Sequence, residues 1–145
     1  MSEAIVVGTD GSETATRAVE EAVRLAKALQ AQVHVVSGFR PMHAHVTGAP
    51  AGAAKVWQPL PDSQAEATMQ EAAAKVRLAG VDVKTHLVRG DAAEALLNVA
   101  RDVKASTIVV GNRGMRGGRR VLGSVPNDVS HKAGCNVLIV QTDQA

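Results

Sequence analysis

Aromatic residues are nearly absent from this chain of 145 residues, which contains one Phe, one Trp and no Tyr. Proteins that bind single-stranded nucleic acids stack the bases on aromatic side chains, so the composition argues against that class. The apolar fraction of 46% is supplied mainly by Ala, Val, Leu and Ile. Ala-rich helices pack closely on Val-rich strands in layered α/β proteins, and the composition therefore favours that class.

Cysteine is equally scarce, because Cys135 is the only one. A lone cysteine cannot form an intrachain disulfide, which favours a reducing compartment, and we expect it to be a small buried residue. The amino-terminal segment shows no basic region followed by a long apolar run, so no secretory signal is expected. No apolar run reaches the roughly 20 residues that span a bilayer. We therefore expect a cytoplasmic protein without membrane segments.

Charge of one sign is not in excess either, because 16 Lys and Arg residues stand against 14 Asp and Glu residues. The net charge of +2 is only a weak argument for a polyanionic partner, and we do not expect nucleic acid to be the ligand. The length matches one domain, since domains most often contain about 100–150 residues. We predict a single domain over residues 1–145.

Short apolar runs, typical of parallel strands buried on both faces, alternate along the chain with stretches in which apolar residues recur every three or four positions. The runs predict strands at residues 4–7, 33–37, 81–88, 107–110 and 136–141. The periodic stretches predict helices after the caps Ser12 and Asp91, over residues 63–79 and near residues 125–132. Because crossovers between parallel strands are right-handed, this order predicts an α/β fold, a doubly wound five-stranded parallel sheet with strand order 3-2-1-4-5.

Residues 39–62 interrupt this alternation with four prolines, at positions 41, 50, 59 and 61. Proline interrupts helices and central strands, so the segment is predicted to be a long surface loop. His43 and His45 within it have a spacing that metal sites use. Solvated side chains are the commoner outcome for such a pair, and we expect no metal there.

Two unusual loops follow the first and fourth strands, between which the predicted strand order reverses. Ligands of doubly wound sheets bind at that reversal, outside the carboxyl ends of the strands. The second loop, residues 111–124, holds five glycines and four arginines in fourteen residues. Glycine lets backbone N–H groups turn toward an anion, and Ser124 lies where a helix is predicted to begin, so the loop favours phosphate. It is neither a Walker loop nor the Rossmann fingerprint.

Asp10 lies at the tip of the first strand, where its carboxylate could accept a ribose hydroxyl or hold Mg²⁺ on phosphates. It could equally satisfy backbone donors at the start of the following helix. Gly38 and Phe39 end the second strand, where exposed main chain could pair with the edge of a base. A plain strand exit would leave the same sequence, so both alternatives stay open at each position.

Three segments together resemble one known family. They are Val7-Gly8-Thr9-Asp10-Gly11-Ser12, the Gly-x-x-Gly…Gly-Ser loop that begins at Gly111, and the closing Val137-Leu138-Ile139-Val140. Over its whole length the chain resembles the universal stress protein family, which has an adenine nucleotide alpha hydrolase-like fold. Members with the motif Gly-x2-Gly-x9-Gly-Ser/Thr bind ATP or related nucleotides, including AMP and cyclic AMP in some branches. The present chain departs from the motif, because residues 115–122 supply eight residues in place of nine.

The resemblance implies a nucleotide-binding protein of stress response or signalling that is not an enzyme. It places ATP ahead of AMP and cyclic AMP, and Mg²⁺ bound with the nucleotide would be held by Asp10. The nucleotide-binding residues that it implies are Thr9, Asp10, Gly38, Phe39, Val110, Gly111, Arg113, Gly114, Gly123, Ser124 and Val125.

Two other functions remain as alternatives. The first is an enzyme of the same fold that adenylates a substrate or hydrolyses ATP slowly. The first loop, Gly-Thr-Asp-Gly-Ser, lacks the Ser-Gly-Gly-x-Asp-Ser sequence of the adenylating enzymes, and no Ser/His/Asp or Cys/His set is apparent. The second is a polyanion- or protein-binding module that uses the four arginines of residues 111–124, whose binding would weaken steeply with salt.

The last predicted strand carries four consecutive apolar residues, at positions 137–140, and the strand order leaves it at a sheet edge. An uncharged apolar edge promotes aggregation unless something covers it. Pairing with a second copy about a two-fold axis would cover it, and the family that the chain resembles commonly dimerises through this strand. We therefore predict a homodimer. A monomer in which residues 141–145 fold over the edge is the alternative.

Overall fold

The computed structural model describes residues 3–39, 61–112 and 124–142, and these ranges form strands and helices in strict alternation. The elements are β1 Ala4–Gly8, α1 Glu13–Leu29, β2 Gln32–Phe39, α2 Pro61–Leu78, β3 Val83–Arg89, α3 Ala92–Val103, β4 Thr107–Gly111, α4 Ser124–Lys132 and β5 Asn136–Val140. None of the described helices is both long enough and apolar enough to span a bilayer.

The five strands form one parallel sheet in the order β3-β2-β1-β4-β5, which confirms the predicted order. The central strand β1 pairs on both sides, so that Val6 lies between His34 of β2 and Ile108 of β4. The direction of the order reverses at β1 and β4. The carboxyl ends of these two strands therefore flank the position where doubly wound sheets bind ligands.

Both faces of the sheet are covered by helices. Ile5 and Val7 of β1 point into a core that contains apolar residues of α1 and α2. Val6, between them in sequence, points to the other face, where it joins apolar residues of α3 and α4. All three side chains are fully buried, which explains why β1 is a continuous apolar run rather than an alternating one.

The residues predicted as helix caps act as caps. The Ser12 hydroxyl accepts a hydrogen bond from the Ala15 amide at 3.1 Å, and the Asp91 carboxylate accepts one from the Glu94 amide at 3.4 Å. Each bond satisfies a first-turn amide that has no partner inside its helix. Because both caps lie at the carboxyl side of the sheet, they fix where α1 and α3 begin relative to the strand ends.

Several predicted boundaries were wrong by one or two residues. Helix α2 begins at Pro61, so this proline belongs to the helix and not to the loop predicted for residues 39–62, most of which lies outside the described residues. Proline is tolerated there because the first amides of a helix need no intrahelical partner. The same helix ends at Leu78, and Gly80 then adopts a left-handed φ of 82°. Strand β3 starts at Val83 rather than at residue 81, since Val81 packs into the core within the turn.

Strand β2 is longer than predicted and includes Gly38 and Phe39, which pair with Val88 and Arg89 of β3. Cys135 is half-buried rather than buried, and its burial raises the pKa of the thiol above the usual value. A neutral thiol at ordinary pH agrees with a packing role. The predictions for His43 and His45 lie outside the described residues.

Candidate functional site

A cleft of about 110 Å³ opens at the carboxyl edge of the sheet, at the predicted reversal of strand order. Its walls are the ends of three strands and the beginnings of three helices. The strands contribute Gly8, Thr9, Asp10, Val36, Gly38, Val110 and Gly111, and the helices contribute Ser12, Thr14, Ala15, Ala92, Leu96, Val125 and Pro126.

The three helices that line the cleft all present their amino-terminal ends to it. Ser12 and Thr14 belong to the start of α1, Ala92 is the first residue of α3, and Val125 is the second residue of α4. The amides of a first helical turn lack intrahelical partners, and the helix dipole makes this end positive. Helix amino termini favour anions such as phosphate, and here carboxylates already lie near two of the three ends, Asp10 before α1 and Asp91 at the start of α3.

The loop after β1 is held by its own hydrogen bonds. The Thr9 amide donates to the Val36 carbonyl at 2.9 Å, which extends the pairing of β1 with β2 by one residue. The Thr9 hydroxyl accepts from the Gly11 amide at 3.2 Å, and Asp10 Oδ1 accepts from the Ser12 amide at 2.9 Å. Gly11 has a φ of 84°, where a side chain would be strained. Asp10 therefore organises the loop with one oxygen while it lines the cleft.

A side chain on any of the three glycines that line the described part of the cleft would need its neighbours to shift, and on Gly8 the neighbour is Leu96, 3.2 Å from the place of a Cβ. A Cβ on Gly38 would lie 3.1 Å from the Gly90 carbonyl oxygen, so the turn before α3 packs directly on the backbone of β2. A Cβ on Gly111 would lie 2.8 Å from Thr14 Cγ2 and 3.3 Å from Thr142 Cγ2. Gly111 thus lets the start of α1 approach the end of β4, which sets the width of the cleft between them.

A buried amide follows Gly111 directly. Asn112 is only 1% exposed. Its Oδ1 accepts hydrogen bonds from the Thr142 amide at 3.0 Å and the Thr142 hydroxyl at 2.6 Å. Its Nδ2 donates to Gln141 Oε1 at 3.0 Å. These bonds join the ends of β4 and β5, and we call Asn112, Gln141 and Thr142 the β4–β5 clasp.

Beneath the cleft, two histidines lie side by side on β2 and β3. His34 is buried, and its Nδ1 lies 2.9 Å from Nε2 of His86. Burial, His86 and Lys84 lower the pKa of His34, and burial and Lys84 lower the pKa of His86, which Asp102 partly offsets. His86 is the register partner of Val36, a residue of the cleft wall. The pair therefore neighbours the cleft wall without lining the described part of the cleft.

The predicted site residues divide into three groups. Six line the cleft together, namely Thr9, Asp10, Gly38, Val110, Gly111 and Val125. Two lie at the ends of neighbouring elements, because Phe39 is the last residue of β2 and Ser124 is the first of α4. The remaining three, Arg113, Gly114 and Gly123, lie outside the described residues. The binding roles of all eleven stay predictions.

Sequence inspection missed several cleft residues. Val36, Ala92 and Leu96 carry no polar chemistry, and only their place in the fold brings them to the cleft. Thr14 could have been found, since it lies two residues after a predicted N-cap. Asn112 could have been suspected as a polar residue at the exit of a buried strand, but its partners are 29 and 30 residues away in sequence.

The described residues offer little to a metal ion. They contain no group of three or more His, Cys, Asp or Glu side chains that could hold one. In the described part of the cleft wall, Asp10 is the sole carboxylate, and one of its oxygens already accepts a hydrogen bond. A bound phosphate and water could supply further ligands to a Mg²⁺ ion at Asp10.

The fold and the cleft define a class: doubly wound α/β proteins with an anion-favouring site at the switch point of a parallel sheet. The chain belongs to the universal stress protein family, whose model matches residues 1–141.

Characterised relatives and solved structures match most of the chain. A universal stress protein of Mycobacterium tuberculosis is 36% identical over 95% of both chains. The universal stress protein YxiE of Bacillus subtilis is 32% identical over 94% of this chain and 97% of its own. A universal stress protein solved in complex with cAMP is 33% identical over 98% of both chains, with a TM-score of 0.74. A structure from Archaeoglobus fulgidus, 24% identical with a TM-score of 0.76, covers 97% of this chain and 100% of its own and supports the fold alone.

Proposed function

We propose that this chain binds an adenine nucleotide in the cleft and acts as a cytoplasmic stress-response or signalling protein without catalytic activity. The convergence of three helix amino termini on the glycine-lined wall of one cleft carries the proposal. Such a wall lets backbone N–H groups reach a phosphate, and the helix dipoles stabilise its charge. The relative at 33% identity that was solved with cAMP supports an adenine nucleotide as the ligand.

The proposed binding mode divides the nucleotide between the two ends of the cleft. The phosphate faces the first turns of α1 and α4 and the backbone at Gly111. In the sequence, Arg113 and Gly114 follow Gly111, Gly123 precedes α4, and Ser124 is the first residue of that helix. The base lies against the end of β2, at the main chain of Gly38 and Phe39. Thr9 and Asp10, between these ends, accept the ribose hydroxyls or hold Mg²⁺ on the phosphate.

Binding rather than catalysis is supported by the side chains of the cleft. Among the described residues that line it, Asp10 is the only one with a titratable side chain. General acid–base catalysis at neutral pH usually needs a side chain whose pKa lies near 7, such as a histidine. Every other described wall residue is a glycine, an aliphatic residue, Ser, Thr or Pro, which suits recognition of a ligand.

Two observations bear on which adenine nucleotide the cleft prefers. The sequence resemblance placed ATP first, whereas the relative at 33% identity was solved with cAMP. The stretch between Gly114 and Gly123 is one residue shorter than in the family motif and offers fewer amides to a triphosphate. We therefore propose that a nucleotide with a single phosphate, such as cyclic AMP, competes with ATP for this cleft.

Titration calorimetry with cyclic AMP, AMP, ATP and GTP, each with and without Mg²⁺, tests the function. We expect heat from adenine nucleotides and little from GTP, and cyclic AMP should bind at least as tightly as ATP. Binding that disappears with rising salt and ignores the base would instead favour the polyanion-binding alternative. The proposal fails if no adenine nucleotide gives a heat at about 1 mM ligand.

We also propose that two copies pair through β5, which the sheet order leaves at an edge. Val137 and Ile139 of this strand pack against the core of their own chain, whereas Leu138 remains 37% exposed. An apolar side chain on an unpaired edge strand fits the centre of a two-fold contact, where the same residue meets its own copy.

Replacing Leu138 with lysine should therefore dissociate the dimer, because it would bring two like charges together in a desolvated contact. We expect the dimer dissociation constant to rise at least about 30-fold, or about 2 kcal/mol, as for a central interface residue. Leu78→Lys is the matched control, since Leu78 is 88% exposed on α2, away from this edge. Sedimentation at micromolar concentration measures both. A monomeric wild type would refute the dimer.

A further inference from the structure

The β4–β5 clasp lies just beyond the point where the two strands stop pairing. The last register pair of β4 and β5 joins Gly111 to Val140, and the clasp joins the next residues of each strand. Four earlier register pairs already hold the strands together. The clasp is therefore not needed to form the sheet, and what it adds is a fixed position for the chain as it leaves β4.

The orientation of the Asn112 side chain follows from its partners. A backbone amide can only donate, so the atom that meets the Thr142 amide must be the carbonyl oxygen of the side chain. The NH₂ group then faces Gln141 Oε1, which accepts from it. Asn112 and Thr142 are 1% and 6% exposed, so water would not readily replace a bond that is lost.

The clasp also touches the cleft through Gly111. The methyl groups of Thr142 and Thr14 both lie beside Gly111, at 3.3 and 2.8 Å from the place that a Cβ would take. Gly111 and Thr14 both line the cleft. A movement of Thr142 would therefore change the space around Gly111 without any contact between Thr142 and a ligand.

We propose that Asn112 is a positioning residue for the nucleotide site. It holds Thr142, and through Thr142 it holds Gly111, at the place where the cleft wall approaches the phosphate. This inference rests on the proposed function, because it presumes a nucleotide in the cleft. It differs from the family's nucleotide-binding motif in that Asn112 acts through other residues and occupies a position where the motif accepts any residue.

The test removes the hydroxyl group and the methyl group of Thr142 in separate variants. Thr142→Val keeps the branched shape and removes the donor at 2.6 Å, whereas Thr142→Ser keeps the donor and removes the methyl group. Because the proposed path needs both the bond to Asn112 and the methyl group beside Gly111, we expect both variants to bind cyclic AMP and ATP more weakly than the wild type. Asn112→Ala removes all three hydrogen bonds and should lower the affinity for both nucleotides by about tenfold or more.

A matched control separates positioning from general loss of stability. Val76 is fully buried in α2 and does not line the cleft. Val76→Ala should therefore lower the melting temperature, and at temperatures well below melting it should leave the nucleotide affinity unchanged. The comparison uses calorimetric affinities at a temperature where all variants are folded. For the same decrease in melting temperature, the Asn112→Ala variant should bind nucleotide more weakly than the Val76→Ala variant.

Each unfavourable outcome has a separate meaning. If the wild type binds and Asn112→Ala binds equally well despite a lower melting temperature, the clasp only stabilises the fold and the inference is overturned. If Asn112→Ala does not fold, wild-type affinity in both the Thr142→Val and the Thr142→Ser variant overturns it instead. If the wild type binds no adenine nucleotide, the proposed function fails first and the positioning role fails with it.

Discussion

Replacing Gly111 with valine is expected to weaken nucleotide binding by about tenfold or more, or about 1.4 kcal/mol, because the cleft wall would have to shift to make room for the side chain. The new Cβ alone would lie 2.8 Å from Thr14 Cγ2, and the two methyl groups of valine extend further. Thr14 belongs to the first turn of α1, so a shift that relieves the clash moves this helix end away from the cleft. The same clash should lower the free energy of unfolding, since overpacking destabilises a folded protein.

Gly134→Val is the matched control for this experiment. Gly134 lies two residues before β5, and a Cβ added to it would meet nothing within 4 Å. Its φ is also outside the left-handed region, so a side chain introduces no backbone strain. We expect its affinity and its stability to stay near those of the wild type. A folded Gly111→Val protein with wild-type affinity would contradict the proposed position of the phosphate.

The strand order could be predicted because the sequence pattern of a strand indicates whether one or both of its faces are buried. Val6 and Ile108 each stand between apolar neighbours in the sequence. Consecutive apolar residues of this kind are required only in a strand that is covered on both faces. Right-handed crossovers then leave few arrangements. The caps Ser12 and Asp91 were predictable for a similar reason, since a cap is a local contact within three residues.

The features that escaped prediction depend on contacts between distant parts of the chain. Asn112 and Thr142 are 30 residues apart, and His34 and His86 are 52 apart, so neither pair leaves a periodic signal. Local rules also misjudged Pro61, which proline statistics assign to a loop but which begins α2. A cleft lies where the strand order reverses, at the position predicted for the ligand, whereas the walls that α3 contributes could be found only from the folded structure.

The His34–His86 pair predicts that the folded state loses stability in mild acid. A ring nitrogen that donates across 2.9 Å needs a lone pair on the other ring, so two protonated rings would place two N–H groups against each other. The charged groups that act on the pair are Lys84, beside it on β3, and Asp102, on α3. Burial lowers the pKa of His34 and of His86 below the usual 6.5, which outweighs the opposing effect of Asp102 on His86.

The direction of the effect follows from proton uptake. Because the folded pKa values of both rings are lowered, the unfolded chain binds protons first as the pH falls through 6.5. The stability of the folded state is therefore complete above that pH and is lost below it, toward the lowered pKa values. The slope reaches at most about 1.4 kcal/mol per pH unit for each ring.

Urea unfolding at several pH values between about 7.5 and 5.5 measures this loss in a range where most carboxylates stay ionised. The double variant His34→Leu/His86→Leu removes both rings and should flatten the dependence, whatever its absolute stability. His131→Gln, at an exposed position in the last turn of α4, is the control and should keep the wild-type slope. An equally steep dependence in the double variant would show that other groups cause the loss. The same measurement with nucleotide present reports whether acid also weakens the cleft that the pair supports.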